Sequence, residues 1–449
     1  MWTCVDLGFI YLFFKMVNAD TIFAISTPPG KSAISLIRIT GIKAFSIIKT
    51  LSSNMPKKSR EATLNNIKTN TGEIIDQTIT TIYGAPKSFT GEDMVELAMH
   101  GGAAVTQRLF KEFKKIKNLR LADPGEFTRR AFENNKLDLT QVEAIADIVN
   151  AETEMQRKNA ISHLSGHFFK LTKDVFENLK KILANIEAII DFSDEDLPEN
   201  LLSDILEQIE NTISTINAAL EDSSLGLSIR NGFSVVIIGK PNTGKSSFLN
   251  KISGRNVAIV TNTPGTTRDI LESFVDVEGY PLRFFDTAGI RESKNKIEKI
   301  GIDIALTASR EADINLVFLD KNDEVDIFKY LKNAFFIKSK QDLGNSIFEG
   351  GGIFNISSKT GYGIEKLLSL VIKKLNKKNH KENGYISRER HSDCLKKTIK
   401  HLNNAKKLKN IDLLAEDIRL ATKELSKLFG NIDIEDILDI IFSDFCIGK

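Results

Sequence analysis

Residues 233–253 constrain this chain more than any other stretch. Phe233-Ser-Val-Val-Ile-Ile-Gly239 reads as a buried strand, and it runs directly into Gly239-Lys-Pro-Asn-Thr-Gly244-Lys245-Ser246. Ser247-Phe-Leu-Asn-Lys-Ile-Ser253 then continues with helical character. A loop bounded by glycines, with Gly-Lys-Ser opening a helix, lets backbone N–H groups close around phosphate oxygens at a helix N-terminus. The strand–loop–helix context is the one this motif needs. Asn242, Thr243, Gly244 and Ser247 are expected to line the phosphates. Lys245 is expected to reach the β- and γ-phosphates, and the Ser246 hydroxyl to bind Mg²⁺.

Further elements follow in the order of a guanine-nucleotide switch. Thr266-Thr267-Arg268 lies about twenty residues past the loop, where Thr267 would complete the Mg²⁺ coordination. A hairpin-like pair, Leu271–Val277 and Leu282–Phe285, leads into Asp286-Thr287-Ala288-Gly289. Asp286 suits an outer magnesium role, and the Gly289 N–H can meet the γ-phosphate. The base reader, usually Asn-Lys-x-Asp, stands here as Ser339-Lys340-Gln-Asp342 at the end of the apolar run Ala334–Ile337. Asp342 can accept from guanine N1–H and the exocyclic amine, which adenine cannot match. Ser339 has no amide to offer. Ser357-Ser358-Lys359 resembles the loop that packs beside guanine. Ile290 occupies the position where Ras-type GTPases carry a water-orienting glutamine, so water must be positioned by another group. Glu298 is the candidate.

A length of 449 residues implies two to four domains, and 41% hydrophobic with 27% charged residues excludes a disordered or low-complexity chain. A net charge of +2 argues against a nucleic-acid coat protein but permits a local basic patch. Three cysteines, Cys4, Cys394 and Cys446, are too few and scattered for a disulfide framework or structural zinc, which fits a reducing cytoplasm. No apolar run reaches the length of a spanning helix. Residues 1–15 have no basic residue ahead of their apolar run, which makes a poor signal peptide, and Met16 opens a more usual start. They are expected to be an upstream extension, the alternative being an N-terminal membrane-surface anchor.

From residue 16 to 123 short strand-like runs (Ile22–Ile25, Ile34–Ile39, Thr78–Tyr83) alternate with helix-like ones (Lys43–Leu51, Ala103–Lys117), which predicts a small α+β domain. Residues 124–228 hold apolar side chains at helical spacing, as in Val175, Leu179, Ile182, Leu183 and Ile186, and read as a helical domain's first part. Residues 229–376 form an inserted α/β domain, and 377–449 return to helix. The flanking helices are expected to pack together as one discontinuous helical domain carrying the insert. Charge is segregated near the end: residues 373–410 hold 13 Lys/Arg against 3 Asp/Glu, and 411–445 hold 3 against 9. The basic run is either a solvated linker and helix face or a contact for nucleic-acid phosphates.

The whole pattern resembles the MnmE (TrmE) family of tRNA-modification GTPases. Thr27-Pro-Pro-Gly-Lys-Ser-Ala-Ile-Ser-Leu-Ile-Arg38, Ser88-Phe-Thr-Gly-Glu92-Asp-Met-Val-Glu-Leu, Pro124-Gly-Glu-Phe-Thr-Arg-Arg-Ala-Phe and Asn135-Lys136-Leu-Asp-Leu look like that family's N-terminal domain. Cys446-Ile-Gly-Lys449 resembles its terminal Cys-x-Gly-Lys, and Cys446 is a possible functional thiol. The resemblance covers about residue 18 to 449. It implies a multidomain α/β and α chain: an N-terminal α+β folate-binding domain, a discontinuous helical domain and an inserted Ras-like P-loop GTPase domain. It also implies a cytoplasmic homodimer that uses a one-carbon tetrahydrofolate, of the 5,10-methylene or 5-formyl type. Together with an MnmG-like flavoprotein, which carries the flavin, the dimer would modify the wobble uridine of tRNA. By position Arg38, Glu92, Lys136 and Lys449 would contact the folate. Asn242, Thr261, Thr263 and Thr266 would hold K⁺, and Glu298 falls on the family's catalytic glutamate.

The competing class is a GTPase switch without chemistry of its own, such as a ribosome-assembly factor. The insert cannot separate the two, whereas the N-terminal domain and the terminal motif favour the modifier. His163 and His167 stand at i, i+4 spacing but lack a third ligand for a metal site.

Overall fold

The computed structural model describes residues 20–28, 30–191, 200–221, 223–254, 271–286, 309–320, 331–343, 353–376, 386–408 and 410–430, with the single positions 441, 445 and 448. The chain forms two compact units, Met1–Ala146 with Phe429–Lys449, and Asp147–Leu428.

The first unit is built on a six-stranded sheet. Its elements are β1 (Thr21–Ile25), β2 (Ser32–Thr40), α1 (Ala44–Leu51), β3 (Thr63–Lys68), β4 (Ile74–Tyr83), β5 (Met94–Gly101), α2 (Ala103–Phe113), β6 (Leu119–Leu121), α3 (Glu126–Glu133) and α4 (Leu139–Val149). Strand order is β3-β4-β5-β2-β1-β6, with β6 parallel to β1 and the other pairs antiparallel. Alternation places Phe23, Ile37, Ile39, Val95 and Leu97 in one core with Ile47 and Ile48 of α1 and Leu109 and Phe113 of α2. On the opposite face of β1, Ile22 and Ala24 pack with Ala122 and with Phe127 of α3. Leu139, Val142 and Ala146 of α4 meet Ile441 and Phe445.

The compact units divide the chain at 146/147. Helical periodicity shows that a segment is amphipathic but not which neighbour receives its apolar face. Here α3 gives Phe127 to the first unit's sheet, and α4 gives Leu139 and Val142 to the chain's C-terminal residues.

The second unit begins with α5 (Glu154–Leu164), α6 (His167–Asp191), α7 (Leu201–Leu220) and α8 (Ser223–Asn231). A second sheet follows, with β7 (Phe233–Gly239), α9 (Lys245–Ser253), β8 (Leu271–Val277), β9 (Tyr280–Asp286), β10 (Ile314–Phe318), β11 (Ala334–Lys338), β12 (Ile353–Asn355) and α10 (Ile364–Leu375). It closes with α11 (Glu389–Ala405) and α12 (Ile411–Ser426). The sheet order is β12-β11-β10-β7-β9-β8, parallel throughout except that β8 pairs antiparallel with β9. Buried stripes repeat at helical spacing: Val175, Leu179, Ile182 and Ile186 on α6, and Leu414, Ile418, Ala421 and Leu425 on α12. On this basis α6 packs against α7 and α12, and α11 against α12 and α7. Helices from before and after the inserted sheet therefore share one layer.

The chain enters and leaves the insert beside one carboxylate. Asp147 Oδ1 accepts from Arg230 Nε (3.0 Å), three residues before β7, and from an Arg388 terminal nitrogen (2.8 Å), just before α11. The start of α5 carries a capping box between Thr153 and Gln156. Gln156 Nε2 donates to the Arg230 carbonyl (3.1 Å), and the Met155 N–H donates to that of Gly279 (3.2 Å) in the β8–β9 turn.

Candidate functional site: a phosphate loop tied to a base-reading loop

The phosphate loop is shaped by two glycines that no other residue can replace. Gly239 ends β7 at φ 150°, opposite Phe318 in the parallel register, and a side chain there would strike the Phe318 carbonyl. Gly244 is the left-handed N-cap of α9, with φ 98°, and a Cβ would run into Ser339. Between them Asn242 is also left-handed, φ 63°, a conformation asparagine tolerates better than most residues. Thr243 Oγ1 donates to the Lys240 carbonyl (2.8 Å), and Lys245 Nζ donates to the carbonyls of Gly239 and Lys240, both at 2.7 Å. The loop is thus drawn around a buried ammonium group, while Ser246 and Ser247 stay exposed on the first turn of α9.

The base-reading loop is fastened to this one. Ser339 Oγ donates to the Thr243 carbonyl, and Lys340 Nζ donates to the Asn242 carbonyl at 2.7 Å. Ser339 therefore ties the two loops through its hydroxyl where the usual motif carries an asparagine amide. Lys340 is held left-handed, φ 64°, to make its reach. Asp342 lies in a 3₁₀ turn, Gln341–Leu343, with the Gln341 N–H donating to the Ile356 carbonyl. Ser357 Oγ donates to Asp342 Oδ1 at 2.6 Å, and this bond holds the exposed Asp342 carboxyl below its ordinary range. One carboxylate oxygen is engaged, which fixes the group's orientation. Ser358 Oγ is buried and has no hydrogen-bond partner among the described residues, and Lys359 is exposed beside it. An unpartnered hydroxyl next to a fixed carboxylate suits a polar ring.

Of the other expected nucleotide, magnesium and potassium groups, Thr261, Thr263, Thr266, Thr267, Thr287, Ala288, Gly289 and Glu298 lie outside the described residues, and Asp286 is described only as the end of β9. The described donors fit the cations that the sequence suggests. The Ser246 hydroxyl is exposed at the helix start for Mg²⁺, and the exposed Asn242 side chain can offer a hard amide oxygen to K⁺.

In the first unit, Glu92 is tied to β2, the strand that carries Arg38, and Lys136 lies against Gly91 next to Glu92. Arg38 Nε donates to Glu96 Oε1 (2.8 Å), its cross-strand partner on β5, and Glu96 also accepts from the Tyr83 hydroxyl (3.0 Å). Burial raises the Tyr83 phenol, and Glu96 adds to it. Thr40 lies two residues from Arg38 on the same face of β2, and its hydroxyl donates to Glu92 (3.0 Å). Gly91, adjacent to Glu92, is crowded by the stem of Lys136, whose Nζ donates to the Pro86 carbonyl (3.1 Å). Burial pushes the Glu92 carboxyl up, against the pull of Arg130 and the Thr40 hydroxyl.

Arg130, whose role no motif disclosed, is the organiser here. Its side chain is only 1% exposed, and it donates to Glu92, to Asp20 Oδ1 (2.8 Å) and to Glu126 Oε1 (2.9 Å). The signal was present: two adjacent arginines within an amphipathic helix, only one of which can face solvent. Lys449 and Cys446 lie outside the described residues, but Gly448 packs on the backbone at Ile25, and its carbonyl accepts from Ser26 Oγ (2.8 Å). The pair after Ile25↔Ile37 is Ala24↔Arg38, so Gly448 sits at the end of the strand that neighbours Arg38.

His163 is buried against Phe168 and His391 (ring centroids 5.6 and 6.3 Å), while His167 lies near the Ser162 carbonyl.

Known proteins match this arrangement over nearly the whole chain. The family descriptions "GTP-binding protein TrmE N-terminus" and "MnmE helical domain" match residues 21–136 and 139–446. Three proteins named tRNA modification GTPase MnmE align along their lengths. The one from Pelagibacter ubique is 43% identical over 442 residues, 96% of this chain and 100% of that protein. That from Wolbachia sp. subsp. Brugia malayi is 40% identical, covering 97% and 100%, and that from Agrobacterium fabrum 38%, covering 96% and 99%. With its TrmE-type N-terminal unit, split helical layer and guanine-type phosphate loop, the chain belongs to the MnmE (TrmE) family of tRNA modification GTPases.

Proposed function

We propose that this chain hydrolyses GTP within a complex that adds a carboxymethylaminomethyl-type group to C5 of the wobble uridine of tRNA. The observation that carries the reading is the direct fastening of the base-reading loop to the phosphate loop through Ser339 and Lys340, with Asp342 already oriented by Ser357. Guanine and phosphate recognition are then one rigid constellation, pre-set for GTP.

In this reading the N-terminal domain (residues 16–123) carries dimerisation and binds a one-carbon tetrahydrofolate. The helical domain is residues 124–228 with 377–449, and the GTPase domain is 229–376. Arg38, Glu92, Lys136 and Lys449 face the folate: a carboxylate for ring N–H donors, cations for the ligand's own carboxylates. When bound, the folate supplies the one-carbon unit. Ser246 and Thr267 hold Mg²⁺, and Asn242, Thr261, Thr263 and Thr266 hold K⁺, which together neutralise the charge at the β/γ bridge. Lys245 orients the phosphates. Glu298 positions the attacking water, because Ile290 has no polar atom to do so. An MnmG-like flavoprotein is the partner, tRNA the substrate and the cytoplasm the compartment. Among the described residues no helix is long and apolar enough to cross a membrane.

Asp342→Asn tests the reading. The amide oxygen can keep the Ser357 bond, which turns Nδ2, a donor, toward the base. Preference should pass from GTP to xanthosine triphosphate, and a reconstituted tRNA modification reaction should then run on the latter nucleotide. An unchanged preference for GTP would show that guanine is read elsewhere.

A further inference from the structure

Helix α11 turns one face inward and a different chemistry outward. His391, Cys394, Leu395, Thr398, Leu402 and Ala405 form its buried side. The opposite side carries Asp393, Lys396, Lys397, Lys400, Asn403, Asn404 and, just past the helix end, Lys407, all exposed. Lys396, Lys397, Lys400 and Lys407 take part in no side-chain hydrogen bond or ion pair among the described residues. Neighbouring cations behave differently. Lys406 pairs with Glu210 on α7, Arg388 with Asp147 and Lys427 with Glu424. The carboxylates that face α11 from its neighbours are likewise engaged, Glu210 by Lys406 and Asp417 of α12 by His401. Lys400 stands one helical turn from both Lys396 and Lys397, and like charges at that spacing oppose the helix that carries them, while Asp393 is the acidic side chain at the start of the stripe.

We propose that this stripe of α11 is a docking surface for the phosphate backbone of tRNA. The inference rests on the reading that the chain acts on tRNA. From Lys396 to Lys407 the stripe rises roughly 16 Å, enough to follow several successive phosphates. The outward face holds no aromatic side chain to stack on a base and no apolar one to enter a bilayer. Lysines give point charges to phosphates, and Asn403 and Asn404 give donors and acceptors to phosphate and 2′-hydroxyl oxygens. Such contacts position an RNA without reading its sequence.

The test uses the full-length protein with Lys396, Lys397, Lys400 and Lys407 changed together to Gln, which preserves helix propensity. Anisotropy of a labelled, unmodified tRNA is followed at rising KCl. The variant should bind about 10-fold or more weakly at low salt, and its slope of log affinity on log salt should be shallower by about 3, since each phosphate contributes roughly 0.7–0.9. GTP turnover without tRNA and thermal unfolding should match the parent. Asp393→Lys extends the stripe and should tighten binding, a gain that misfolding cannot produce. Equal tRNA affinity and salt slope in parent and quadruple variant would overturn the proposal alone. A parent that binds no tRNA would overturn both the stripe and the tRNA reading. If the variant loses binding to phosphatidylserine vesicles but keeps the parent's tRNA affinity, the surface serves an anionic membrane and the proposal falls.

Discussion

Replacing Arg130 with Met should unbalance the first unit more than its single change of charge suggests. The guanidinium is almost fully enclosed and serves three carboxylates. Two of them keep good partners without it. Glu126 retains paired contacts from Arg120 at 2.6 and 2.8 Å and the Asp123 N–H, and Asp20 retains Arg120 Nε at 2.6 Å. Glu92 keeps the Thr40 hydroxyl but loses its positive partner. Removing one member of a buried pair costs ~3–5 kcal/mol because the other charge is left behind. For a unit of this size that is a fall of roughly 6–20 °C in its unfolding temperature.

The pH dependence has a definite sign. Burial raises the folded-state value of Glu92 above the ordinary 4.5, so its contribution favours folding below that value and is lost as pH rises through the folded one. Asp20 and Glu126 run the other way. Burial alone would raise them, but Arg130 and Arg120 hold both below their ordinary values, so their contribution is present at neutral pH and lost on acidification. In Arg130→Met the ionised Glu92 dominates. The deficit should therefore be largest at about pH 8 and shrink toward pH 5. Adding Glu92→Gln should recover part of it at pH 8. Differential scanning calorimetry of the two single variants and the double variant measures all three effects. A loss below ~1 kcal/mol, or a deficit equal at both pH values, would refute the view that Arg130 is there to hold Glu92.

Two further expectations concern the nucleotide. Glu298→Ala should leave GTP binding near the parent level and slow single-turnover hydrolysis by roughly 10²-fold or more; a parent-like rate would remove the glutamate from the reaction. Exchanging K⁺ for Na⁺ at equal ionic strength should depress hydrolysis strongly with little change in nucleotide affinity. Asn242→Ala should lose most of that response, and equal turnover in both salts would dismiss the potassium site.

What could be read from the residues alone was whatever local chemistry requires. Gly239 and Gly244 announce the phosphate loop because a side chain at either would collide with Phe318 or Ser339. The β8–β9 hairpin was equally legible, since its Glu278-Gly279 turn adopts positive φ at both positions. Strand β3, Thr-Leu-Asn-Asn-Ile-Lys, was not, because its Asn65 is buried by donating to Ser52 and Thr80 and accepting from the Asn54 N–H. Nor was β5, whose Glu96 and His100 make sense as strand residues once Arg38 and Asp76 stand opposite. Partnerships of this kind cross long stretches of chain, 241 positions between Asp147 and Arg388, and no local pattern encodes them. Ser339 shows the converse: the motif suggested a lost contact, yet a hydroxyl close to the loop makes the tie.

The most direct measurement is nucleoside analysis of wobble uridines in tRNA from cells lacking this chain, complemented with the parent or with Lys245→Ala. The parent should restore a carboxymethylaminomethyl-type group at uridine C5, and Lys245→Ala, which cannot hold the phosphates, should not. Wobble uridines that carry the same modification with and without the chain would contradict a role in tRNA modification.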